Sequence, residues 1–362
     1  MPNKNRLLYK QVMDYILAKI EDRTFKFGEA IPPERELCQE LTVSRYTVRK
    51  AIQELVRDGY LYRVQGNGTF VFEKTHIFNQ NMIGVIMPYC NAELEMAFLS
   101  GIQKGLENES YSMTFLNSND DYQKEAENIY RFKNEGVAGL IIMPAEDQKD
   151  STAISDLKAE QFPFILLDRR LGDCETDCVM SDNIEGGYKA VEHLIELGHK
   201  RIAFITHKLD QTSSVEDRII GYKKAMLEYG LNELAIFSYS KTEHDQENID
   251  QIYNFIVENE PTAVVAVSDY IALDIVKMSR KKNIRIPGDL SIVGFDNQEV
   301  VKHLEVPLTS IAQFPQKMGI CALRMLIQKI NSKPEDESND LIHQIYYPTE
   351  LIIRESSTRL TN

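Results

Sequence analysis

No stretch of this sequence is apolar for long enough to cross a membrane. The longest apolar runs, such as Val137-Ala-Gly-Leu-Ile-Ile-Met143, have the length of a strand. The first residues, Met1-Pro-Asn-Lys-Asn-Arg6, are polar, and the stretch after them is charged throughout, which does not fit a signal peptide; a cytoplasmic protein is expected. Cysteine is sparse and odd in number: Cys38, Cys90, Cys174, Cys178 and Cys321 are scattered over 362 residues. Only Cys174 and Cys178 lie close together. Without a second pair or a His-x-x-x-His they read as loop thiols, so no metal is expected. The motifs of catalysis are missing as well. There is no Gly-x-x-x-x-Gly-Lys-Ser/Thr loop, no Gly-x-Ser-x-Gly elbow and no His-Glu-x-x-His, and Gly66-Asn-Gly68 lacks the third glycine of a dinucleotide loop. His193, His199 and His207 read as structural hydrogen-bonding residues. Neither an enzyme nor a bound cofactor is expected, and no tandem repeat is found.

What is present divides the chain. Its length suggests two or three folded units, and 43% hydrophobic with 27% charged residues is ordinary globular usage. A net charge of −14 argues against nucleic acid only if it is spread evenly. It is not. Residues 1–74 hold 13 Lys and Arg against 10 Asp and Glu, a net of +3, leaving −17 on the remainder. Only the N-terminal piece can approach phosphates.

In that piece Leu8, Val12, Ile16 and Ile20 recur at helical spacing. Gly28 and Pro32-Pro33 break the chain, and Pro33-Glu34-Arg35-Glu36 starts a short helix burying Leu37 and Leu41. A turn at Thr42-Val43 leads to Ser44, an N-cap for a second helix whose core face is Val48, Ile52, Leu55 and Val56 and which Gly59 closes. Residues 60–64 and 69–72 are β-type runs joined by Gln65-Gly-Asn-Gly68, a hairpin. Off the core face, the second helix presents Arg45, Tyr46, Arg49, Lys50 and Gln53. Long hydrogen-bonding side chains near a helix N-terminus suit the base edges and phosphates of a major groove, although a solvated helix face has the same composition. Ser44 and Thr47 can add hydroxyl and amide contacts to phosphate.

The runs Ile31-Pro-Pro-Glu-Arg-Glu-Leu37, Val43-Ser-Arg-Tyr-Thr-Val-Arg-Lys-Ala-Ile52 and Leu61-Tyr-Arg-Val-Gln-Gly-Asn-Gly-Thr-Phe-Val71 resemble the winged helix-turn-helix of the GntR family. The resemblance implies a DNA-binding head over 1–72. It makes Arg35, Arg45 and Arg49 DNA contacts, with Ser44, Tyr46, Thr47 and Lys50 beside them and Gly66 and Gly68 in the wing tip. Pro33 stands where the family usually has Ser, so one helix-capping hydroxyl is in question.

Residues 73–81 read as a polar linker. From 82 onward short apolar strands (83–87, 112–116, 139–143, 164–167, 201–205, 262–267, 291–294) alternate with amphipathic helices such as 94–108, 183–197, 215–229, 270–282 and 315–330. This alternation predicts parallel sheets with helices on both faces, and the strand number predicts two lobes. Ser181-Asp-Asn-Ile-Glu-Gly-Gly-Tyr188, the run 193–205, Ser213-Ser-Val-Glu-Asp-Arg-Ile-Ile-Gly-Tyr222, Pro287-Gly-Asp-Leu-Ser-Ile-Val-Gly-Phe-Asp-Asn297 and Leu308-Thr-Ser-Ile-Ala-Gln313 resemble the effector-binding domain of the LacI/GalR family. The resemblance implies a periplasmic-binding-protein-like sensor over 82–362. Lobe one is set at about 82–168 and 314–338, lobe two at about 169–313 and 339–357, with a sugar in the cleft.

Sugar hydroxyls need carboxylates, amides and a forked Arg at strand ends. Asp296 and the Asp168-Arg169-Arg170 run follow strands at their C-terminal ends, where α/β sheets place ligands. Matched to the family motifs, Arg218 and Asp296 are the leading sugar contacts, joined by Tyr89, Glu95, Arg169, Asp182, Ser268, Asp269 and Gln313. Glu95 falls where many relatives have an aromatic, and Ser268 where they often have Asn. Asp182 and Asp269 equally suit helix caps, and Asp168 a hinge ion pair. A GntR-type head on a LacI-type sensor is the arrangement of the arabinose repressors, which this chain resembles end to end. That implies a homodimeric repressor of double-stranded operator DNA with L-arabinose as effector. Another pentose, a hexose, a sugar phosphate, or a sugar-binding protein without a DNA role are the alternatives.

Overall fold

The computed structural model describes residues 4–26, 28–57, 60–64, 68–71, 81–90, 92–145, 151–172, 175–207, 212–239, 245–332 and 342–360. They form two units, Met1–Gln80 and Asn81–Asn362. Gly59, Gly66, Cys174 and the linker residues 73–80 lie outside the described residues.

The first unit is built on α1 (Lys4–Glu21), α2 (Glu34–Leu41), α3 (Arg45–Arg57) and an antiparallel pair, β1 (Leu61–Val64) and β2 (Gly68–Val71). Val12 and Ile16 of α1, Leu37 of α2, and Val48, Ile52 and Leu55 of α3 are buried with Leu61 and Val71 in one core. Residues 28–31 extend the hairpin: the Ile31 amide donates to the Thr69 carbonyl and the Val71 amide to that of Glu29. Pro33 is the N-cap of α2 and offers no capping side chain, as its lack of a hydroxyl requires.

The second unit holds two six-stranded sheets. The chain begins the first with β3 (Met82–Met87), α4 (Glu93–Leu106), β4 (Ser112–Asn117), α5 (Tyr122–Glu135), β5 (Gly139–Ile142), α6 (Thr152–Ala159), β6 (Phe164–Leu167) and β7 (Cys178–Ser181). It then builds the second from α7 (Asn183–Glu196), β8 (Ile202–His207), α8 (Ser213–Glu228), β9 (Phe237–Tyr239), α9 (Asp245–Asn259), β10 (Ala263–Ala266), α10 (Asp269–Lys282), β11 (Ser291–Asp296), α11 (Glu299–Lys302) and β12 (Thr309–Ala312). Finally α12 (Pro315–Asn331) and β13 (Gln344–Tyr347) return to the first lobe, and β14 (Glu350–Ile352) to the second. The strand orders are β13-β7-β6-β5-β3-β4 and β14-β12-β11-β10-β8-β9, parallel except where β14 meets β12. Central strands such as Phe164-Ile-Leu-Leu167 and Ala263-Val-Val-Ala266 are buried along their whole length, as a sheet covered on both faces demands.

The lobe boundaries differ from those set by the sequence. Residues 169–181 stay in lobe one because β7 pairs with β6 and β13, so the first crossing follows Ser181 rather than 168. The last crossing lies between Tyr347 and Glu350, not at 338/339, because β13 pairs with β7 while β14 pairs with β12. Cys178, read as a loop thiol, is a buried residue of β7 whose thiol pKa is pushed up by burial. Among the described residues no helix is long and apolar enough to cross a membrane.

Candidate nucleic-acid face and ligand cleft

At the start of α3 the Ser44 Oγ accepts from the Thr47 amide (3.2 Å) and lies 2.8 Å from the Thr47 hydroxyl. Ser44 therefore caps the helix. Thr47 itself is buried, with its amide and hydroxyl both engaged, so the expected Thr47 contact to phosphate does not fit this geometry. Arg45, Tyr46 and Arg49 are exposed on the same helix, Tyr46 to 71%. The Lys50 ammonium rests 4.6 Å from the Tyr9 ring centroid, tied to α1 by a cation–π contact. Arg35, Arg45 and Arg49 share with Gly68 and Thr69 a concave surface enclosing about 790 Å³. Residues of α2, α3 and the hairpin root thus converge on one basic hollow.

Two residues missed by the sequence reading organise that hollow. Glu34 takes the Arg45 Nε at 3.3 Å and the Arg63 guanidinium at 3.6 Å, linking α3 to β1 through the start of α2. Separations of 11 and 29 residues leave no local pattern that could have revealed it.

In the second unit a cavity of about 350 Å³ opens at the C-terminal ends of β6, β8, β10 and β11, small for ligand pockets of roughly 300–1,000 Å³. Tyr89, Glu95, Arg169, Arg218, Ser268 and Asp296 of the expected set line it, together with Asp168. Arg218 is held on several sides. Its Nε donates to Asn183 Oδ1 (2.9 Å), its Nη1 to the Val267 carbonyl (2.6 Å), and Nη2 lies 3.5 Å from Asp296 Oδ1. The guanidinium stacks 3.6 Å over Phe295. Asp168 and Asp296 adopt φ of 68° and 103°, left-handed strain of a kind that concentrates at functional sites. Burial, with the Asp168 and Asp296 charges adding to it, pushes the Glu95 carboxyl up to about 7. It also pulls the Arg218 pKa down against the attraction of Asp296.

Three expected residues stand elsewhere. Asp182 caps α7, accepting from the Glu185 amide at 2.9 Å. Asp269 is fully buried behind the wall, accepting from the Ser310 hydroxyl and the Gln298 amide, both at 2.7 Å. Burial and the Asp296 charge push its pKa up. Gln313 donates to Asp296 Oδ1 and accepts from Ser181, each at 2.6 Å, and so positions Asp296 from the crossing between lobes. His193 and His199 are structural, hydrogen-bonded to Ser357 and to Thr262 with the Thr358 carbonyl. His207 departs from that reading. It lines the cavity, and its Nδ1 is buried with no partner among the described residues. Glu95 Oε2 and Asp168 Oδ1 are in the same condition. Buried polar atoms are almost always paired, so three such atoms on the residues of one cavity wall single it out as the candidate ligand site. The sequence reading also missed Thr212, Ser214, Tyr270 and Gln298 on this wall; they sit in helix starts and a strand-end loop, where a polar residue is unremarkable in sequence.

A model of the bacterial regulatory proteins of the gntR family matches residues 8–71, and one of the periplasmic binding protein-like domain matches 191–357. An arabinose metabolism transcriptional repressor of Geobacillus stearothermophilus is 30% identical over 370 residues, covering 99% of this chain and 100% of the relative. The HTH-type transcriptional repressor PurR of Actinobacillus pleuropneumoniae serotype 3 is 29% identical over 279 residues, 77% of this chain and 81% of its own. A solved LacI family regulator from Enterococcus faecium with bound ribose aligns with a TM-score of 0.64 and 26% identity, over 77% of this chain and 100% of that one.

Proposed function

Because this chain belongs to the family of arabinose metabolism transcriptional repressors, which join a gntR-type head to a periplasmic-binding-protein-like sensor, we propose that it represses sugar-utilisation genes and is released from its operator by L-arabinose. The observation that carries this reading is the pairing, on one chain, of an exposed arginine face with a buried cavity walled by Arg169, Arg218, Asp168 and Asp296. Arg35, Arg45 and Arg49 take up the DNA, the exposed Tyr46 beside them, with Gly68 close to the sugar-phosphate backbone. Arginines opposed by carboxylates suit a neutral polyol, whose hydroxyls both donate and accept. The protein acts as a homodimer, so that two heads meet half-sites about one helical turn apart. Release requires that the sugar bind more tightly to the lobe arrangement in which the heads cannot reach both half-sites.

The test pairs calorimetry with an operator-shift assay. L-Arabinose gives heat and releases the operator; D-ribose, D-xylose, D-galactose and a sugar phosphate do neither. Arg49→Ala abolishes operator binding and keeps the heat, while Asp296→Ala does the converse. Heat from D-ribose alone transfers the effector to the second reading, favoured by the ribose-bound relative. An Arg49→Ala protein that still binds operator removes α3 from its assigned role.

A further inference from the structure

Glu95 stands apart from the other charged groups of the cavity. It lies in the first turn of α4, is 5% exposed and lines the cavity, and its buried Oε2 has no hydrogen-bond partner among the described residues. Around it stand Asp168 and Arg169 after β6, His207 after β8, Arg218 and Ser214 of α8, Tyr270 of α10, Asp296 after β11 and Tyr89 after β3. Its own helix adds Glu93.

Two cations face three carboxyls here, and each cation is committed. Arg218 is anchored to Asn183, Val267 and Asp296, and the Arg169 Nε lies 3.5 Å from Asp168. Glu95 makes no ion pair among the described residues. Burying a third, unpaired carboxylate beside two others is costly. The cavity's unpartnered atoms already include a carboxylate acceptor in Asp168. With both arginines already engaged, a carboxylic acid at Glu95 adds a donor beside that acceptor.

We infer that Glu95 meets the effector as a neutral carboxylic acid, donating its Oε2 proton to a ligand oxygen, so that effector affinity is proton-linked and Glu95 selects for an acceptor at that point of the sugar. The inference rests on the reading of the cavity as the sugar site. The burial that raises the Glu95 carboxyl to about 7 sets the range. The sign follows. The binding form is the protonated one, so affinity is constant well below pH 7 and falls above it, by about tenfold per pH unit once the group ionises.

Calorimetry of the full chain with L-arabinose from pH 6 to pH 8.5, in buffers of unlike protonation heat, tests this. Expected are a dissociation constant that rises with pH, proton uptake on binding above pH 7, and a Glu95→Gln variant that binds like the unaltered protein at pH 6. Because the Gln amide donates at every pH, its profile loses the component due to Glu95; Glu95→Ala weakens binding by about tenfold or more at pH 6. The idea is overturned if the unaltered protein shows a flat profile, or if Glu95→Gln weakens binding as much as Glu95→Ala. If no sugar gives heat, the sugar reading fails separately, and the proton is read directly by infrared difference spectroscopy against Glu95→Gln at pH 6. The band of a protonated carboxyl upholds a neutral Glu95; a carboxylate band in its place rejects it.

Discussion

Glu125 resembles Glu95 in chemistry but not in place. It is fully buried on α5, its Oε2 accepts from the Ala145 amide at 2.8 Å, and burial pushes its carboxyl up to about 7 from an ordinary 4.5. Folding therefore favours the protonated form. Its contribution is present below about pH 4.5 and is lost as pH rises through 7. Glu125→Gln keeps an acceptor for the Ala145 amide and removes the charge, so it raises stability at pH 8 by roughly 1–3 kcal/mol and gains little near pH 5. Thermal melts of both proteins at the two pH values check this. At this scale the sequence was uneven. Asp296 could be read both from a family motif and from its place at a strand end, Arg218 from the motif alone, and both line the cavity. Asp269 and Gln313 were misplaced because their partners, Ser310 and Ser181, are 41 and 132 positions away. Nothing along the chain separates a carboxylate that faces a ligand from one that props up the loop beside it.

The helices that carry the cavity's ionic groups are positioned by glycines. In lobe two, a Cβ on Gly221 of α8 would lie 2.1 Å from the Ile184 carbonyl oxygen of α7, and one on Gly187 would lie 2.3 Å from that of Arg218. In lobe one, α4 meets α12 in the same manner, with Gly101 facing the Gln316 carbonyl oxygen. A methyl group at these crossings meets backbone, which cannot swing aside. Gly221→Ala therefore costs about 1–3 kcal/mol and displaces Arg218, three residues earlier on α8. A lower melting temperature and weaker effector binding, with operator affinity kept, is the expected result. Equal sugar affinity would show that α8 tolerates the shift. The seven sensor strands read from the sequence are runs of four to six mostly apolar residues. β7, β9 and β12 escaped because Ser and Thr punctuate runs of three or four residues, and β13 because it is a half-exposed edge. A pattern that short has no period to detect.

Across the sensor, polar links close one lobe on the other. Arg170, after β6, makes a forked pair with Asp217 of α8 at 2.6 and 2.8 Å, and its amide donates to the Ser213 hydroxyl. The Glu93 carboxylate of α4 accepts from the Glu299 amide of α11 at 2.9 Å. These bonds hold the lobes together through protein atoms alone, and under the proposed mechanism they set part of the open–closed balance. Asp217→Asn removes the charge and one acceptor from this latch. The expected outcome is a larger radius of gyration by small-angle scattering without sugar, recovered at saturating sugar, with weaker apparent sugar affinity. An unchanged radius would assign closure to other contacts.

The order in which the chain supplies its parts adds a consequence for synthesis. The head has its own core and lies within the first 80 residues, so it can fold while the rest is still on the ribosome. Lobe one starts next but lacks α12 and the edge strand β13 until residues 315–347 emerge, after nearly all of lobe two. A message broken anywhere in that interval leaves a finished DNA-binding head on a sensor that lacks a core helix. Such a product keeps the means to sit on an operator and loses the means to be called off it, so early termination here is expected to yield a regulator deaf to its signal.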